Sequence, residues 1–459
     1  MNTKRLTHLK DGDEQGDYVV YWMQQSQRIH DNHALNFACD IANKHSLPLV
    51  VFFSLYSEYP EANERSFTFM LEGMQDVKTW LLSRGVNFVL RIGLGHEVIF
   101  DYLDHAYALV LDYGYLKHQK AWRTYVKEEA MQRKLHCSID MIDTDVLVPV
   151  DVVSDKREYG AYTIRPKIHR MMNDYLDMDA LPILVNQTPL GFVSDDDLNN
   201  INLLLSKLNI DQMVTKSRFY KGGYIEASHH FSNFLYHDLK SYKDRNDPSE
   251  PKVSLMSMYL HFGQISVREL LERMTLANLQ DQIDQASIDA FVEQLIVRRE
   301  LAFNYVTYNP GYDTFEKMTQ PWAYRTMDIH EDDMRPYTYS IYDYETFSTH
   351  DEAFNAAMIE MIVTGYMHNY MRMYWAKKII EWTPSFKEAY ETILFLNNKY
   401  FIDGRDPNSY AGVSWCFGNH DRPWNERNIF GQLRYMNFEG LKRKFNIWAY
   451  IDKMRNLVK

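Results

Sequence analysis

Short apolar runs alternate with amphipathic stretches along the first 180 residues of the chain. The apolar runs predict five buried strands: Tyr18–Met23, Leu49–Leu55, Asn87–Ile92, Ala108–Asp112 and Ser138–Ile142. The stretches between them predict four helices: Arg28–His45, Ser66–Ser83, Glu97–His105 and Gln119–Lys134. Strands that alternate with helices of this length are typical of right-handed βαβ units. We therefore expect an α/β domain with a parallel sheet, whose ligands bind at the carboxyl ends of the strands.

The pattern changes after residue 180. From Leu181 to Ser217 it loosens into a polar, proline-containing stretch that indicates an interdomain linker. Beyond it the periodicity is mostly helical, with predicted helices at His230–Tyr242, Ser266–Ala277, Ser287–Tyr305, Glu352–Lys378 and Ser385–Tyr400. Since 459 residues exceed one ordinary core, we predict an α/β domain over 1–180, a linker over 181–217 and an all-α domain over 218–459.

Composition narrows the class of protein. The chain is 46% apolar and 24% charged, which is ordinary for a soluble globular protein. Cys39, Cys137 and Cys416 lie far apart without a CxxC pair, which argues against disulfides or a zinc site and fits a reducing cytoplasm. We see no signal peptide and no run of about 18 apolar residues, and so expect no membrane span. The net charge of −12 does not indicate a nucleic-acid binder, although a local basic face still binds phosphates.

Two polar stretches of the second half carry candidate chemistry. Ser254 and Ser257, which follow Arg245 and Asn246, either cap a helix or hold a phosphate group together with backbone N–H groups. Asp403-Gly404-Arg405 is either a tight turn or a polar loop that hydrogen-bonds a heterocycle. Neither GxGxxG nor GxxxxGK[ST] occurs, which disfavours a standard dinucleotide or nucleotide triphosphate site.

Tryptophans supply a third feature. Trp375 and Trp382 lie seven residues apart on one predicted helix, which places both indoles on the same face about 10 Å apart along its axis. They are either core residues or a route for electron hopping. Trp415, Trp424 and Arg434 are candidate aromatic plates and a phosphate contact for a flipped-out base.

The ordered set of motifs identifies a resemblance. RNDP, YLHFGQIS, RREL, YNPGYD, THD, MRMYWAKKIIEW, LNNKY, DGRDPN, HDRPW and RYMN, with VVYWMQQSQR near the N-terminus, resemble class II cyclobutane pyrimidine dimer photolyases over nearly the whole chain. The resemblance implies the photolyase/cryptochrome fold, with a Rossmann-like antenna domain and a helical domain that holds non-covalent FAD. It also implies a second, light-harvesting chromophore of deazaflavin or folate type. The implied reaction is light-driven: excited, fully reduced flavin passes an electron to a flipped-out dimer, which splits and returns it.

Residue roles follow from the resemblance. The positions that match cofactor-binding residues are Tyr242, Ser254, Leu255, Met256, Ser257, Arg372, Asn397, Asp403, Gly404 and Arg405. Those that match lesion- and DNA-binding residues are Arg245, Asn246, Met373, Trp415, Trp424 and Arg434. The implied catalytic set is Gln294, Asn397, Met373, Trp375 and Trp382, with Asn397 beside flavin N5 and Arg372 paired to Asp403.

The sequence departs from the family pattern at several of these positions. Gln294 stands where the family has a carboxylic acid that hydrogen-bonds the dimer, and Glu293 faces a different side of the helix. Phe354 stands where a tryptophan bridges Trp375 and Trp382, so we expect slow photoreduction, or rerouting through Tyr366, Tyr370 or Tyr374. Met258 replaces a proline, and the loop from Trp415 to His420 is one residue shorter.

Three interpretations stay open. The first is a photolyase that acts on UV-damaged DNA carrying cyclobutane dimers. We expect this enzyme to be a monomer in the cytoplasm, or in the nucleus of a eukaryote, and to bind neither a membrane nor a metal ion. The second, prompted by Gln294 and Phe354, is a cryptochrome-like blue-light photoreceptor or a repair-inactive homologue. The third is a helical scaffold without flavin. Binding of dimer-containing DNA separates the first from the others.

Overall fold

A six-stranded sheet forms the core of the N-terminal part. The computed structural model describes residues 2–195, 197–281 and 283–459. Its strands are β1 (Leu6–Lys10), β2 (Tyr18–Trp22), β3 (Leu49–Leu55), β4 (Asn87–Ile92), β5 (Ala106–Asp112) and β6 (Ser138–Ile142). They lie in the order β1-β6-β5-β2-β3-β4, and only the β1–β6 pair is antiparallel. The order reverses at β2, so a crevice is expected at the carboxyl ends of β2 and β5.

Helices cover both faces of the sheet. Because side chains alternate along a strand, Val19 and Tyr21 of β2 pack in one cluster, while Val20 and Trp22 pack in the other. The covering helices are α1 (His33–His45), α2 (Glu64–Ser83), α3 (Gly95–Val98) and α4 (Lys117–Gln132).

Two predicted helices of this part differ from the observed ones by more than two residues at one end. The helix predicted over Arg28–His45 begins at His33, because the Asn32 side chain caps it by accepting from the backbone N–H of Leu35 at 2.9 Å. The helix predicted over Glu97–His105 is the short α3 followed by a 3₁₀ turn at Ile99–Tyr102.

Between the sheet and the helical part lie α5 (Val150–Val153), α6 (Ala161–Met171) and α7 (Ile201–Ser206). Ile164 and Ile168 of α6 pack in the same cluster as helices of the second half. Leu204 and Leu205 of α7, within the predicted linker, pack against the sheet domain. The boundaries 1–180, 181–217 and 218–459 stay a prediction.

The second half is helical. Its helices are α8 (Tyr224–His237), α9 (Met256–His261), α10 (Val267–Asp281), α11 (Gln285–Val292), α12 (Arg299–Tyr308), α13 (Pro321–Ile329), α14 (Ile341–Glu345), α15 (Glu352–Thr364), α16 (Asn369–Trp382), α17 (Phe386–Tyr400), α18 (Pro407–Cys416), α19 (Phe438–Lys444) and α20 (Ile447–Arg455). Within the described residues, no helix is long and apolar enough to span a membrane.

Three predicted helices of the second half need correction. The single helix predicted over Glu352–Lys378 is two helices, α15 and α16, because Gly365 ends the first with φ +85°, a left-handed conformation that favours glycine. The one predicted over Ser287–Tyr305 contains a π-helical segment, Glu293–Arg298, between α11 and α12. The helix predicted over His230–Tyr242 ends at His237, and a 3₁₀ turn follows.

Candidate functional site

Helix α16 connects the groups of candidate residues. Its first turn is capped by His368, whose Nδ1 accepts from the backbone N–H of Tyr370 at 3.3 Å, while its Nε2 donates to the carbonyl of Arg245 at 2.8 Å. Seven residues apart on this helix, Trp375 and Trp382 are both buried. Met373, between them and the cap, is half-buried.

Arg372 of α16 holds the loop that follows α17. Its two terminal nitrogens donate to the two carboxylate oxygens of Asp403 at 3.0 and 3.1 Å, a bidentate pair. The guanidinium also lies 3.9 Å from the centre of the Phe401 ring. The loop is therefore anchored by charge and by an aromatic face at the same point.

The rest of this loop is tightly packed. A Cβ at Gly404 would lie 2.8 Å from the carbonyl oxygen of Asn397, so the close approach requires glycine. Arg405 has φ +63°, and its backbone N–H donates to Oδ1 of Asn398 at 2.9 Å. Asn397 donates its own side-chain N–H to the same oxygen at 3.1 Å, which fixes its amide orientation. Burial lowers the pKa of the Arg405 guanidinium.

The candidate phosphate segment lies at the start of α9. Ser254 Oγ accepts from the backbone N–H of Met256 at 3.4 Å, and Leu255 takes a left-handed φ of +59°. Ser257 is exposed, and α9 has only six residues. Tyr242 is buried beneath Arg245, whose guanidinium carbon lies 5.0 Å from its ring centre. Burial raises the pKa of Tyr242 to about 12.

The candidate lesion residues of the C-terminal region form a contact group. Arg434 Nε donates to Oδ2 of Asp421 at 2.9 Å, and its guanidinium lies 4.5 Å from the ring centre of Trp424 and 5.7 Å from that of Trp415. Burial, the largest influence, would raise the pKa of Asp421, but hydrogen bonds and the Arg434 charge outweigh it and lower that pKa. Buried Lys377 of α16 donates to the carbonyl of Cys416, next to Trp415.

Gln294 lies in the π-helical segment and is half-buried. Its side-chain amide makes no hydrogen bond with any residue in the described part of the chain. The neighbouring Glu293 is fully engaged: both its oxygens accept from Arg165 at 2.8 Å, and one also accepts from Arg298 at 3.0 Å. Burial would raise the pKa of Glu293, but these two cations together lower it.

The surroundings of Trp382 were only partly predicted. Phe354 is buried with its ring centre 5.0 Å from that of Trp382. Two tyrosines that sequence reasoning missed lie beside the same indole, Tyr339 at 5.1 Å and Tyr344 at 6.4 Å.

The three tyrosines proposed as alternative electron donors lie elsewhere. Within the described residues, Tyr366, Tyr370 and Tyr374 have no ring contact with either tryptophan. The hydroxyl of Tyr374 donates to Asp351, and that of Tyr370 accepts from Lys444 at 2.8 Å. The proposed rerouting through these three tyrosines therefore lacks a contact with the predicted tryptophan route.

A cavity opens at the carboxyl ends of β2, β3 and β5, with an empty volume of about 1050 Å³ that includes its open mouth. Gln24, Gln25 and Gln27 line it from one side, and Arg405 and Asp406 from the helical part. Buried Oε1 of Gln27 has no hydrogen-bond partner in the described protein. The sequence predicted ligand binding at this edge of the sheet but not these lining residues, although three glutamines directly after a predicted strand were a usable signal.

Comparison with known proteins gives consistent matches. Residues 19–185 match the family model described as DNA photolyase. The deoxyribodipyrimidine photo-lyase of Methanothermobacter thermautotrophicus is 42% identical over 100% of this chain and 99% of its own. Those of Arabidopsis thaliana and Potorous tridactylus are each 37% identical, over 99% and 97% of this chain and 93% and 82% of their own.

Solved structures agree on the fold. A bacterial class III photolyase from Agrobacterium tumefaciens superposes with a TM-score of 0.71 at 18% identity, over 96% of this chain and 86% of that one. An archaeal photolyase from Sulfolobus tokodaii, described with two FAD molecules, gives 0.68 at 15% identity over 95% and 89%.

Proposed function

Because this chain belongs to the DNA photolyase family, we propose that it is a class II photolyase that repairs cyclobutane pyrimidine dimers in UV-damaged DNA by light-driven electron transfer. The observation that carries the proposal is the position of helix α16. Its residues contact the Arg245 backbone through His368, the Asp403 loop through Arg372 and the α18 end through Lys377. One rigid helix thus joins the candidate lesion residues to the candidate cofactor loop.

The residues present fit FAD. A Cβ at Gly404 would meet the backbone of Asn397, and the Arg372–Asp403 pair fixes this loop. The side-chain N–H of Asn397 donates to Asn398, which leaves Oδ1 of Asn397 free and sets its orientation. The chemistry that bound FAD supplies is transfer of an electron to the dimer under light and its return after the two carbon–carbon bonds joining the bases have broken. Asn397 would hydrogen-bond the flavin near N5, and Ser254 and Ser257 would hold the phosphates with the backbone of Leu255 and Met256.

The lesion side needs two flat contacts and a donor. Trp415 and Trp424 would take the flipped bases against their rings, at about 1–3 kcal/mol per stacked base. Arg434, which both indoles flank, would meet the adjacent phosphate, together with Arg245 and Asn246 across the pocket. Gln294 would donate its unused amide N–H to a thymine carbonyl, and Met373 would fill the space between lesion and flavin.

We assign the second chromophore to the cavity at the carboxyl ends of the strands. Its amide-rich wall suits hydrogen bonds to the edge of a planar ring system, and the cavity is open to the surface, so a chromophore could enter it. A deazaflavin or a folate would satisfy the buried oxygen of Gln27. Arg405 lines this cavity and also belongs to the flavin loop, so the two chromophores would share a wall.

The test is repair of a dimer-containing oligonucleotide by chemically reduced, FAD-loaded protein under blue light, followed by recovery of thymine absorbance. We expect recovery in the light and none in the dark. Chemical reduction removes any dependence on Phe354. Trp415→Ala should weaken binding of the damaged oligonucleotide by roughly 1–3 kcal/mol. No recovery by protein that holds reduced FAD would reject the repair proposal.

A second function is a blue-light photoreceptor. It is favoured by Phe354, whose ring is much harder to oxidise than an indole, and by Gln294, which replaces a carboxylic acid. Light-dependent binding of a partner protein, by a chain that holds FAD but leaves dimers intact, would support this function instead.

A further inference from the structure

Helix α6 presents an exposed aromatic and basic face. The side chain of Tyr162 is 64% exposed, and Arg165 and His169 follow it at spacings that place all three on one side of the helix. The ring of Tyr159, in the loop before α6, lies 6.1 Å from that of Tyr162. The two tyrosines offer flat contacts, whereas the guanidinium of Arg165 is paired with Glu293 and positions the helix.

The loop before α6 is bound to the loop that carries the candidate lesion residues. His420 Nδ1 donates to the carbonyl of Tyr159 at 2.8 Å, and the Tyr159 hydroxyl donates to the carbonyl of Asp421 at 3.3 Å. Arg157 donates to Oδ1 of Asn419 at 2.8 Å. The side chain of Asp421 in turn holds Arg434. The α6 surface therefore continues directly from the candidate lesion pocket.

A second connection fixes the other side of α6. Arg165 forms its bidentate pair with Glu293, the residue before Gln294, with both distances 2.8 Å. Helix α6 is thus held at one side by the loop that contains His420 and Asp421, and at the other side by the π-helical segment. Two anchors on different elements place α6 along one edge of the pocket.

Cations on this edge are free to bind phosphate. Among the described residues, Lys156, Arg170 and Arg422 are exposed and take part in no ion pair. The acid Glu158 is buried and bound by Lys167, which leaves Asp155 as the exposed acid between 155 and 170. Between residues 155 and 170 the exposed charged side chains are therefore mostly basic, in a chain whose net charge is −12, and the next exposed acid is Asp174.

We propose that Lys156, Tyr159, Tyr162, Arg170 and Arg422 form a flanking surface that binds the DNA strand beside the flipped dimer. The three cations contact phosphates, and Tyr162 packs against the sugar or base next to the lesion. This inference rests on the proposed function, since it assumes that the adjoining pocket receives the dimer. The proposal gives helix α6, which follows the strands of the sheet in the sequence, a role in substrate binding.

The first test compares two ligands of FAD-loaded protein: a duplex with one central thymine dimer and the isolated dinucleotide dimer. Tyr162→Ala should bind the duplex roughly tenfold more weakly but the dinucleotide as well as the wild type does, because the dinucleotide reaches only the pocket. Tyr342→Ala, which removes a tyrosine of similar exposure on α14, is the control. Unchanged duplex affinity, or an equal loss on both ligands, would overturn the flanking surface.

The second test uses salt. The slope of log affinity against log salt for the damaged duplex is negative, and Lys156→Gln with Arg170→Gln should make it shallower by about two, one for each lost phosphate contact. Lys44→Gln on α1 is the matched control and should leave the slope as it is. An unchanged slope in the double variant would reject the phosphate contacts. If the proposed repair function itself were wrong, the wild-type protein would not prefer damaged over undamaged duplex. This result is distinct from an unchanged slope in the double variant, which rejects the flanking surface alone.

Discussion

At the scale of single residues, Gln294 places an amide where the resemblance implies an acid, and Glu293 is its neighbour. Glu293 cannot take over, because Arg165 and Arg298 hold its carboxylate in the charged form. Gln294 keeps a free amide, which donates a hydrogen bond but holds no transferable proton. The reaction would therefore depend on hydrogen bonding alone at this point.

Gln294→Glu should raise the repair quantum yield of the reduced protein. A protonated carboxyl that donates to the dimer anion is worth about 1 kcal/mol more than an amide, roughly fivefold in the competition between splitting and loss of the electron. The gain should fade as pH rises, since only the protonated acid donates. Gln294→Met, which has no donor, is the control and should lower the yield. Equal yields in all three proteins would show that this side chain does not touch the lesion.

A second residue, His368, must be neutral in the folded protein. Its Nε2 faces a carbonyl and donates, while its Nδ1 faces a backbone N–H and accepts, so a second proton would break the cap of α16. Burial lowers its pKa to about 4. The unfolded chain takes up this proton near pH 6.5, so between pH 6.5 and 4 it holds more protons than the folded chain. Stability therefore falls as pH falls through this window.

The His368→Asn variant should remove this pH dependence, because asparagine caps a helix without titrating. From pH 7.5 to pH 5 the wild type should lose about 2 kcal/mol more unfolding free energy than the variant. Urea unfolding at both pH values measures the difference. An identical loss in both proteins would mean that His368 is protonated while folded.

At the scale of elements, the helices and strands with strong periodicity follow from the sequence. Strand Leu49–Leu55 matches to the residue, since a buried parallel strand is a nearly continuous apolar run. Strand Asn87–Ile92 also matches, although it is an edge strand in which Val89 and Leu90 alone are fully buried. Strand β1 was missed because it is a short polar edge strand, specified by pairing with β6 more than 120 residues away. Helix α6 was missed because Pro166 lies inside it.

In the candidate site, too, the residues in local sequence motifs could be predicted, whereas contacts between distant segments could not. Arg372 and Asp403 could be named from local motifs, and both lie in one bidentate pair. The π-helical segment could not be foreseen, because its contacts with Arg165 come from a distant helix. The tyrosines near Trp382 were missed for the same reason: Tyr339 is more than 40 residues away in sequence and meets the indole only through folding.

The aromatic group at the C-terminal end of α16 leads to a further prediction. Phe354→Trp should speed photoreduction of oxidised FAD in the presence of an external reductant by about tenfold or more, because indole gives up an electron far more readily than a phenyl ring. Tyr339→Phe in the natural background should slow it, if Tyr339 relays the electron. Transient absorption after a blue flash measures both rates. Phe354→Leu, with no aromatic ring, separates the electronic effect from packing.

At the scale of the whole molecule, Arg65 is one of the buried side chains that join the two halves. Arg65, in the first turn of α2, donates to the carbonyls of Ile362 at 2.7 Å, Tyr400 at 3.1 Å and Met361 at 3.4 Å. These carbonyls lie in the last turns of α15 and α17. Burial lowers its pKa to about 10, so it stays charged at neutral pH and stabilises two helix C-termini.

Arg65→Leu should therefore lower the free energy of unfolding by at least about 3 kcal/mol, since several buried carbonyls lose their donor. It should also speed the release of FAD, because the loop between α17 and α18 begins where Arg65 holds Tyr400, and Ile402 donates its N–H to Gly365 at 3.0 Å. Urea unfolding and the rise of free-flavin fluorescence give the two readouts. Arg325→Leu, at an exposed position on α13, should change stability by no more than about 0.5 kcal/mol. A lower free energy of unfolding with unaltered FAD release in Arg65→Leu would show that the sheet domain does not support the flavin loop.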